Sequence, residues 1–359
     1  MRLVPWASHG PWRRIGLCAW QAALGAAAPG GMQHSAAQDT AAATLARERA
    51  YTGSLKRHTI NPRLGITLSE FYPVPLPQLA HPRTLETADG PLAALEAAPA
   101  GRIPTRCPAV LVPGFTGSKE DFIPLLSPIV AAGYRVISYD QRGQYESPGP
   151  SRADAYSTAL FARDLHEVIG IISDGRPVHL VGHSFGGLVA RDLAITEPAL
   201  VRSLTLLDSG PAGARLLRAR WLGLLVGFIR LGGLQVLARL MVWAPRKADI
   251  PADRLRWLRY RFLRSRRTGM VGMCLALLRE PDRVDELSAT AVPVLVICGE
   301  NDDVWSPYVQ EDMANRLNAP TVVIKNAGHT PNEEQPEATA DAILKFWDAV
   351  EARNRGTMV

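Results

Sequence analysis

Gly182-His183-Ser184-Phe185-Gly186 puts a serine at the centre of a G-x-S-x-G pattern. The apolar run Val178–Val181 precedes it, and the helix-like segment Ser184–Thr196 follows. A tight strand-to-helix turn holds such a serine in a strained backbone conformation with its hydroxyl exposed. Glycines two residues away on each side leave room for that turn. The helix that begins there aims its dipole and its first free amides at an oxyanion forming beside the serine. The chemistry these residues suit is acyl transfer. A serine hydroxyl is a poor nucleophile until an imidazole takes its proton, and that imidazole needs a carboxylate to fix its tautomer.

The flanking elements must hold these groups in place. Arg83–Thr87 and Pro91–Ala97 read as strands around the turn Asp89-Gly90. Ala109–Val112, Tyr134–Tyr139, Val178–Val181, Ser203–Leu207, Pro293–Ile297 and Thr321–Lys325 read as strands. Asp121–Ala132, Asp154–Ile172, Ser184–Thr196, Pro307–Leu317 and Glu333–Val350 carry helical spacing. Apolar β-branched runs alternating with helices predict an α/β fold with a mostly parallel sheet covered on both faces. Strand signal vanishes for about 80 residues after Pro211. That block, 211–290, reads as a helical insertion over the C-terminal edge of the sheet, where open α/β folds bind ligands.

Composition narrows the class further. The 359 residues are 47% hydrophobic and 21% charged, as in ordinary globular proteins. No apolar stretch is long and charge-free enough for a membrane-spanning helix. Cys18, Cys107, Cys274 and Cys298 are scattered, so neither a disulfide framework nor a zinc site is expected. The net charge of +6 is uneven: block 211–290 holds sixteen basic and six acidic residues, which leaves the remainder of the chain net acidic. Arg13-Arg14 followed by Ile15–Ala28 resembles a short signal-peptide core. The preferred reading of the first 60 residues is an extension, or an over-long start with the true one at Met32, on a cytoplasmic protein. Export is the alternative if residues 1–31 are a signal peptide. The expected organisation is therefore an extension (1–60), a first core segment (61–210), a basic helical cap (211–290), a second core segment (291–350) and a fraying tail (351–359).

Five motifs in order carry a family resemblance: Pro113-Gly114-Phe115, Asp140-Gln141-Arg142-Gly143, the Ser184 turn, Gly299-Glu300-Asn301-Asp302 and Gly328-His329. Over roughly Arg83 to Val350 the chain resembles the α/β-hydrolase superfamily, in its core–cap–core, esterase- and lipase-like branch. The resemblance implies Ser184 as nucleophile, His329 as base and Asp302 as acid. His329 stands in the loop after the last strand, where Gly328 lets the chain bend. His183, next to the serine, is the weaker candidate and reads as a packing residue. Asp303 reads as a capping or solvated neighbour and Glu300 as a rim residue. Asp208, at the end of Ser203–Leu207, competes with Asp302, because some branches place the acid there. The oxyanion hole is expected from the backbone amides of Phe115 and Phe185. The family commonly reads His-Gly where this chain reads Pro113-Gly114, so the support of that loop needs another source. Asp140 and Arg142 read as structural residues and Tyr145 as a pocket-wall residue.

The expected reaction is hydrolysis of a small-molecule carboxylic ester with an apolar acyl group, through an acyl-enzyme, with no metal or organic cofactor. The same triad serves lactonases, carbon–carbon bond hydrolases and perhydrolases, and related folds also occur as non-catalytic ligand-binding proteins. Ser184 argues against the dehalogenase and epoxide-hydrolase branches, which need aspartate there. Trp221–Ile229, flanked by arginines, reads as a cap helix packed on the core and lining an acyl pocket. The sharper alternative is a basic surface that makes weak contact with an anionic membrane. Leu255, Leu258 and Phe262 recur at helical spacing, and the arginines between them read as a solvated face. No nucleic-acid-binding motif accompanies the basic charge, so no nucleic-acid partner is expected.

Overall fold

The computed structural model describes residues 59–61, 66–67, 76–100, 106–213, 223–231, 233–235, 238 and 252–356. The readings made for residues 1–58, the signal peptide and the Met32 start among them, lie outside the described residues. So do Trp221, the first residue of the expected cap helix, and Lys247. Among the described residues no helix is long and apolar enough to cross a membrane.

Eight strands form one sheet: β1 (Ala80–Thr87), β2 (Gly90–Ala97), β3 (Ala109–Val112), β4 (Val136–Tyr139), β5 (Val178–His183), β6 (Val201–Leu207), β7 (Val294–Gly299) and β8 (Thr321–Ile324). Their order across the sheet is β8-β7-β6-β5-β3-β4-β2-β1. Only β2 runs antiparallel to its neighbours. The β3, β4, β5 and β7 side chains are buried throughout, which is why these strands read as unbroken apolar runs. Pro82 is tolerated in β1 because β1 is an edge strand. A separate two-stranded ribbon pairs Thr59–Asn61 with Ile66–Thr67.

The helices divide between the faces. On one side α1 (Ile123–Ala131) packs Leu125, Leu126 and Ile129 with Ala109, Leu111 and Val136, beside Ile343 and Trp347 of the C-terminal helix Pro336–Gly356. On the other, α2 (Thr158–Ile172) and α3 (Phe185–Thr196) pack Phe161, Leu165, Leu188 and Val189 against Val110, Leu180 and Leu204. The chain leaves β3 for α1 on the first face and β5 for α3 on the second. The ends of β3 and β5 therefore border the topological switch point, where such sheets open a crevice.

Three expected helices are broken, each for a local reason. Asp121–Ala132 divides into a 3₁₀ turn, Lys119–Phe122, and α1, with Pro124 in the first turn of α1. Asp154–Ile172 breaks before Ser157, whose hydroxyl caps the Leu160 amide at 3.3 Å. Glu333–Val350 breaks at Gln335, because Pro336 disfavours helical backbone in the residue before it. The tail expected to fray from Glu351 is instead helical to Gly356. Glu351 is tied there to His179 at 3.3 Å and Arg202 at 3.4 Å.

Within the 211–290 block the described residues are helical over 223–231, Ala252–Arg264 (α4), Arg267–Arg279 (α5) and Val284–Ser288. Trp257 and Leu258 of α4 join the core on the α1 side, while Phe262 and Met270, Met273 and Cys274 of α5 join the core on the α3 side. These helices thus pack into both cores. The solvated face expected for the α4 arginines is interrupted at Arg261, which is only 5% exposed. Its guanidinium binds the buried Asp121 carboxylate and the Ser118 hydroxyl, a pairing that sequence spacing within α4 cannot reveal.

Candidate active site

Ser184 stands between β5 and α3 with φ 53° and ψ −118°, a left-handed conformation that costs a non-glycine residue on the order of 1–3 kcal/mol. The neighbouring backbone leaves no alternative. A Cβ on Gly182 would strike the Gly186 carbonyl and Gly187, and one on Gly186 would strike the Val112 carbonyl of β3. The two glycines let the turn close while β3 lies against it. The Ser184 amide is held by the Leu207 carbonyl of β6 at 2.9 Å, and the Ser184 carbonyl accepts the Ser209 hydroxyl at 2.9 Å.

His329 reaches this serine from 145 residues away in sequence: its Nε2 lies 3.0 Å from the Ser184 Oγ. Its Nδ1 lies 2.9 Å from the Asp302 Oδ1. All three residues are buried. The Asp302 carboxylate also accepts the Val304 amide at 2.7 Å and the Gln310 side-chain amide at 2.8 Å. Burial presses its pKa upward, but His329 and these donors together hold it below the usual carboxylate range. Asp302 is therefore an ionised acceptor suited to orienting an imidazole.

Asp208 lies in the same buried cluster. Its Oδ1 accepts the Gly299 amide at 2.8 Å rather than an imidazole proton. Burial, then the adjacent Asp302 charge, pushes its pKa well above the usual carboxylate range. Ionising two carboxyl groups in contact is costly, and burial drives Asp208 rather than Asp302 toward its neutral form. Of the two candidate acids, the geometry brings Asp302 to His329. Glu300 is exposed and accepts the Asn326 amide at 3.1 Å.

Sequence reasoning missed the residues that hold the His329 loop. The Glu334 carboxylate accepts the Gly328 amide at 2.7 Å, the Thr330 amide at 3.1 Å and the Thr330 hydroxyl at 2.8 Å, and so clamps both flanks of the base. His183 was read as packing, yet its Nε2 donates to the His329 carbonyl at 2.7 Å. Burial first, then the His329 charge, lowers the His183 pKa to about 4. This ring therefore stays neutral through the ordinary range. The remaining described histidines lie elsewhere: His81 is exposed on β1 near Glu96, His166 is exposed beside Glu197, and His179 stacks on Trp347.

The loop after β3 runs directly over the serine. A Cβ on Gly114 would lie 3.0 Å from both the Ser184 Cβ and the His183 Nδ1. The next amide along is that of Phe115. Phe185 is the first residue of α3, so its amide has no carbonyl four residues back within the helix. Both expected oxyanion donors thus belong to backbone beside Ser184. Support for the Pro113-Gly114 loop comes from two side chains beyond β4. Gln141 donates to the Pro113 carbonyl at 2.8 Å, and Gln144 donates to the Gly114 carbonyl at 2.7 Å. These glutamines do the work expected of the histidine that the loop lacks. A clue stood in the sequence, as amide side chains clustered behind the β4 aspartate, but their direction depends on the fold.

Deeper in the same corner, Lys119 is wholly buried among Glu120, Asp140 and Glu146, at 2.9, 2.9 and 2.7 Å. The Tyr145 ring covers its ammonium at 4.7 Å and meets Trp257 of α4 edge-on. Tyr145 thus joins the core to the cap helix, and Asp140 with Arg142 anchors the loop. Arg142 binds the Asp164 carboxylate of α2. His183, Asp208 and His329 could together offer three ligand atoms to a metal ion. Both His329 nitrogens are already engaged by Ser184 and Asp302, so this cluster suits proton transfer better than metal binding.

Comparison with known proteins agrees with this architecture. The model of the alpha/beta hydrolase family matches residues 109–342. A 2-hydroxy-6-oxononadienedioate/2-hydroxy-6-oxononatrienedioate hydrolase of Paraburkholderia xenovorans is 29% identical over 246 residues, covering 65% of this chain and 83% of that protein. A thermophilic esterase from Thermogutta terrifontis superposes with a TM-score of 0.63 at 24% identity, over 75% of this chain and 99% of the esterase. A carboxylesterase structure from Nitrososphaera gargenis gives a TM-score of 0.64 at 20% identity, over 76% and 100% of the two chains. The two structural likenesses speak to the fold.

Proposed function

The chain belongs to the alpha/beta hydrolase family and is a hydrolase, and on that premise we propose that it cleaves carboxylic esters with Ser184 as nucleophile. The observation that carries this reading is the unbroken hydrogen-bond chain from Asp302 through His329 to Ser184, with the serine on a strained turn. His329 Nε2 takes the hydroxyl proton as Ser184 Oγ attacks the acyl carbonyl. Asp302 holds the imidazole in the tautomer this requires and stabilises the imidazolium that forms. The amides of Phe115 and Phe185 take the oxyanion. As the tetrahedral intermediate collapses, His329 returns the proton to the leaving alcohol. It then draws a proton from water as that water attacks the acyl-serine, and passes the proton to Ser184 Oγ as the acid is released. Every step uses groups of this chain, and none calls for a metal or organic cofactor. The apolar side chains Val226, Ile229, Met270 and Met273 of the 211–290 block support an apolar acyl group as substrate.

A fluorophosphonate probe should label the wild-type protein and leave Ser184→Ala unlabelled. Hydrolysis of p-nitrophenyl esters of graded acyl length should fall at least about a thousandfold in that variant. Equal labelling of the two proteins would defeat the reading. The name of the Paraburkholderia relative supports a second reading, cleavage of a carbon–carbon bond by the same triad. Turnover of 2-hydroxy-6-oxononadienedioate with inertness toward every ester in the series would favour it.

A further inference from the structure

The helical stretch 223–231 is apolar on two sides. Val226 and Ile229 are buried in the core with Met270 and Met273 of α5. Leu224, Phe228 and Leu231, spaced four and three residues apart, point outward and are 54%, 47% and 92% exposed. They are three of only six exposed large apolar side chains among the described residues. Spacing of this kind makes one continuous stripe along a helix. Water alone gives no reason to keep such a stripe uncovered.

The stripe ends among unneutralised cations. Arg267, at the start of α5, donates to the Arg230 carbonyl, so the α4–α5 corner abuts the end of the stripe. Arg230, Arg256, Arg259, Arg264, Arg266 and Arg267 are all exposed, and among the described residues none of the six pairs with a carboxylate. Their charge contrasts with Arg254 and Arg261 of the same block, which bind Glu333 and Asp121. Apolar side chains beside guanidinium groups that no described carboxylate neutralises match one kind of surface, in which acyl chains lie beneath negative headgroups. Among the described residues no helix is long and apolar enough to cross a bilayer, and the stretch 223–231 is long enough to lie in its interface.

We propose that the outer face of residues 223–231, with Leu224, Phe228 and Leu231 entering the acyl boundary and Arg230, Arg266 and Arg267 meeting the headgroups, docks this protein on an anionic lipid surface. Docking is a binding property and does not depend on the ester reading, since it should persist in Ser184→Ala. It would bring the enzyme to substrates that partition into membranes.

The test is co-sedimentation of the full-length protein with vesicles of phosphatidylcholine alone and of phosphatidylcholine mixed with phosphatidylglycerol. The mixed vesicles should capture it, and added salt should release it, because salt screens the guanidinium–headgroup attraction. The triple variant L224S/F228S/L231S should bind at least about tenfold more weakly, since each buried apolar side chain contributes separately. R230Q/R267Q should weaken binding to the mixed vesicles about twenty-fivefold, at roughly fivefold per arginine near the surface. Unchanged turnover of a short soluble ester by both variants would show that they fold. The proposal is overturned if the triple variant binds like wild type, which would place the contact elsewhere in the chain. It is equally overturned if neither vesicle captures the protein while sedimentation velocity shows a dimer that the triple variant loses. A second copy would then be the occupant of the stripe.

Discussion

Ser184, His329 and Asp302 make a chain in which each group prepares the next, and the neighbouring carboxyl sharpens the assignment. Asp302 is charged and faces the imidazole, whereas Asp208 is driven to hold its proton and faces a backbone amide. Replacing a carboxyl that burial drives toward its neutral form and that faces a backbone amide changes little, and replacing Asp302 removes the imidazole's orienting partner. Asp208→Asn should therefore keep kcat within a fewfold of wild type, while Asp302→Asn should lower it by about 10⁴. A steady-state assay on one activated ester separates the two, and comparable losses in both would return the acid to dispute. His183 belongs to the same scale: a neutral ring next to the nucleophile holds the carbonyl of the base without competing for its proton.

Among the elements, the loops matter more than the strands they leave. The β8 loop carries His329, and Glu334 accepts three bonds around it. Glu334 touches no reacting atom, so it is a positioning residue. Glu334→Ala should lower kcat roughly tenfold to a hundredfold with KM nearly unchanged, because a displaced base loses alignment rather than substrate contact. Glu334→Gln keeps an acceptor and should recover part of the rate. A fall in KM affinity alone, with kcat intact, would contradict this role. The Gln141 and Gln144 side chains act likewise on the β3 loop. Both devices depend on bonds to backbone carbonyls or amides, which leave no residue-type signature at the receiving end.

On the scale of the whole molecule, Asp121 links α4 to the loops after β3 and β8. Its carboxylate takes the Arg261 guanidinium of α4 and the Ser118 amide at 3.1 Å, while its carbonyl takes the Asn332 side chain at 2.7 Å. Ser118 follows the oxyanion loop and Asn332 follows the base, so one residue ties the cap, the oxyanion loop and the His329 loop together. Removing the guanidinium leaves a buried carboxylate unpaired, a loss on the order of 3–5 kcal/mol. Arg261→Ala should therefore lower the urea midpoint markedly and reduce kcat at temperatures where the protein stays folded. Arg261→Lys should restore part of both. Stability lost with kcat fully retained would show that the latch holds the cap alone.

The order of strands and helices, the serine turn and the candidate base were legible in the sequence because each depends on local rules. Buried parallel strands must be largely apolar, and a tight turn must have glycine. Pairwise choices were not legible. Asp302 against Asp208, the two glutamines under the oxyanion loop, Glu334 around the base and Arg261 on Asp121 all involve partners distant along the chain, whose meeting is fixed by how the sheet twists and where its helices cross. The cap showed its basic charge in the sequence, but which arginines are buried in pairs and which remain bare was decided only by packing. Desolvation makes a buried guanidinium demand a carboxylate, and an exposed one makes no such demand.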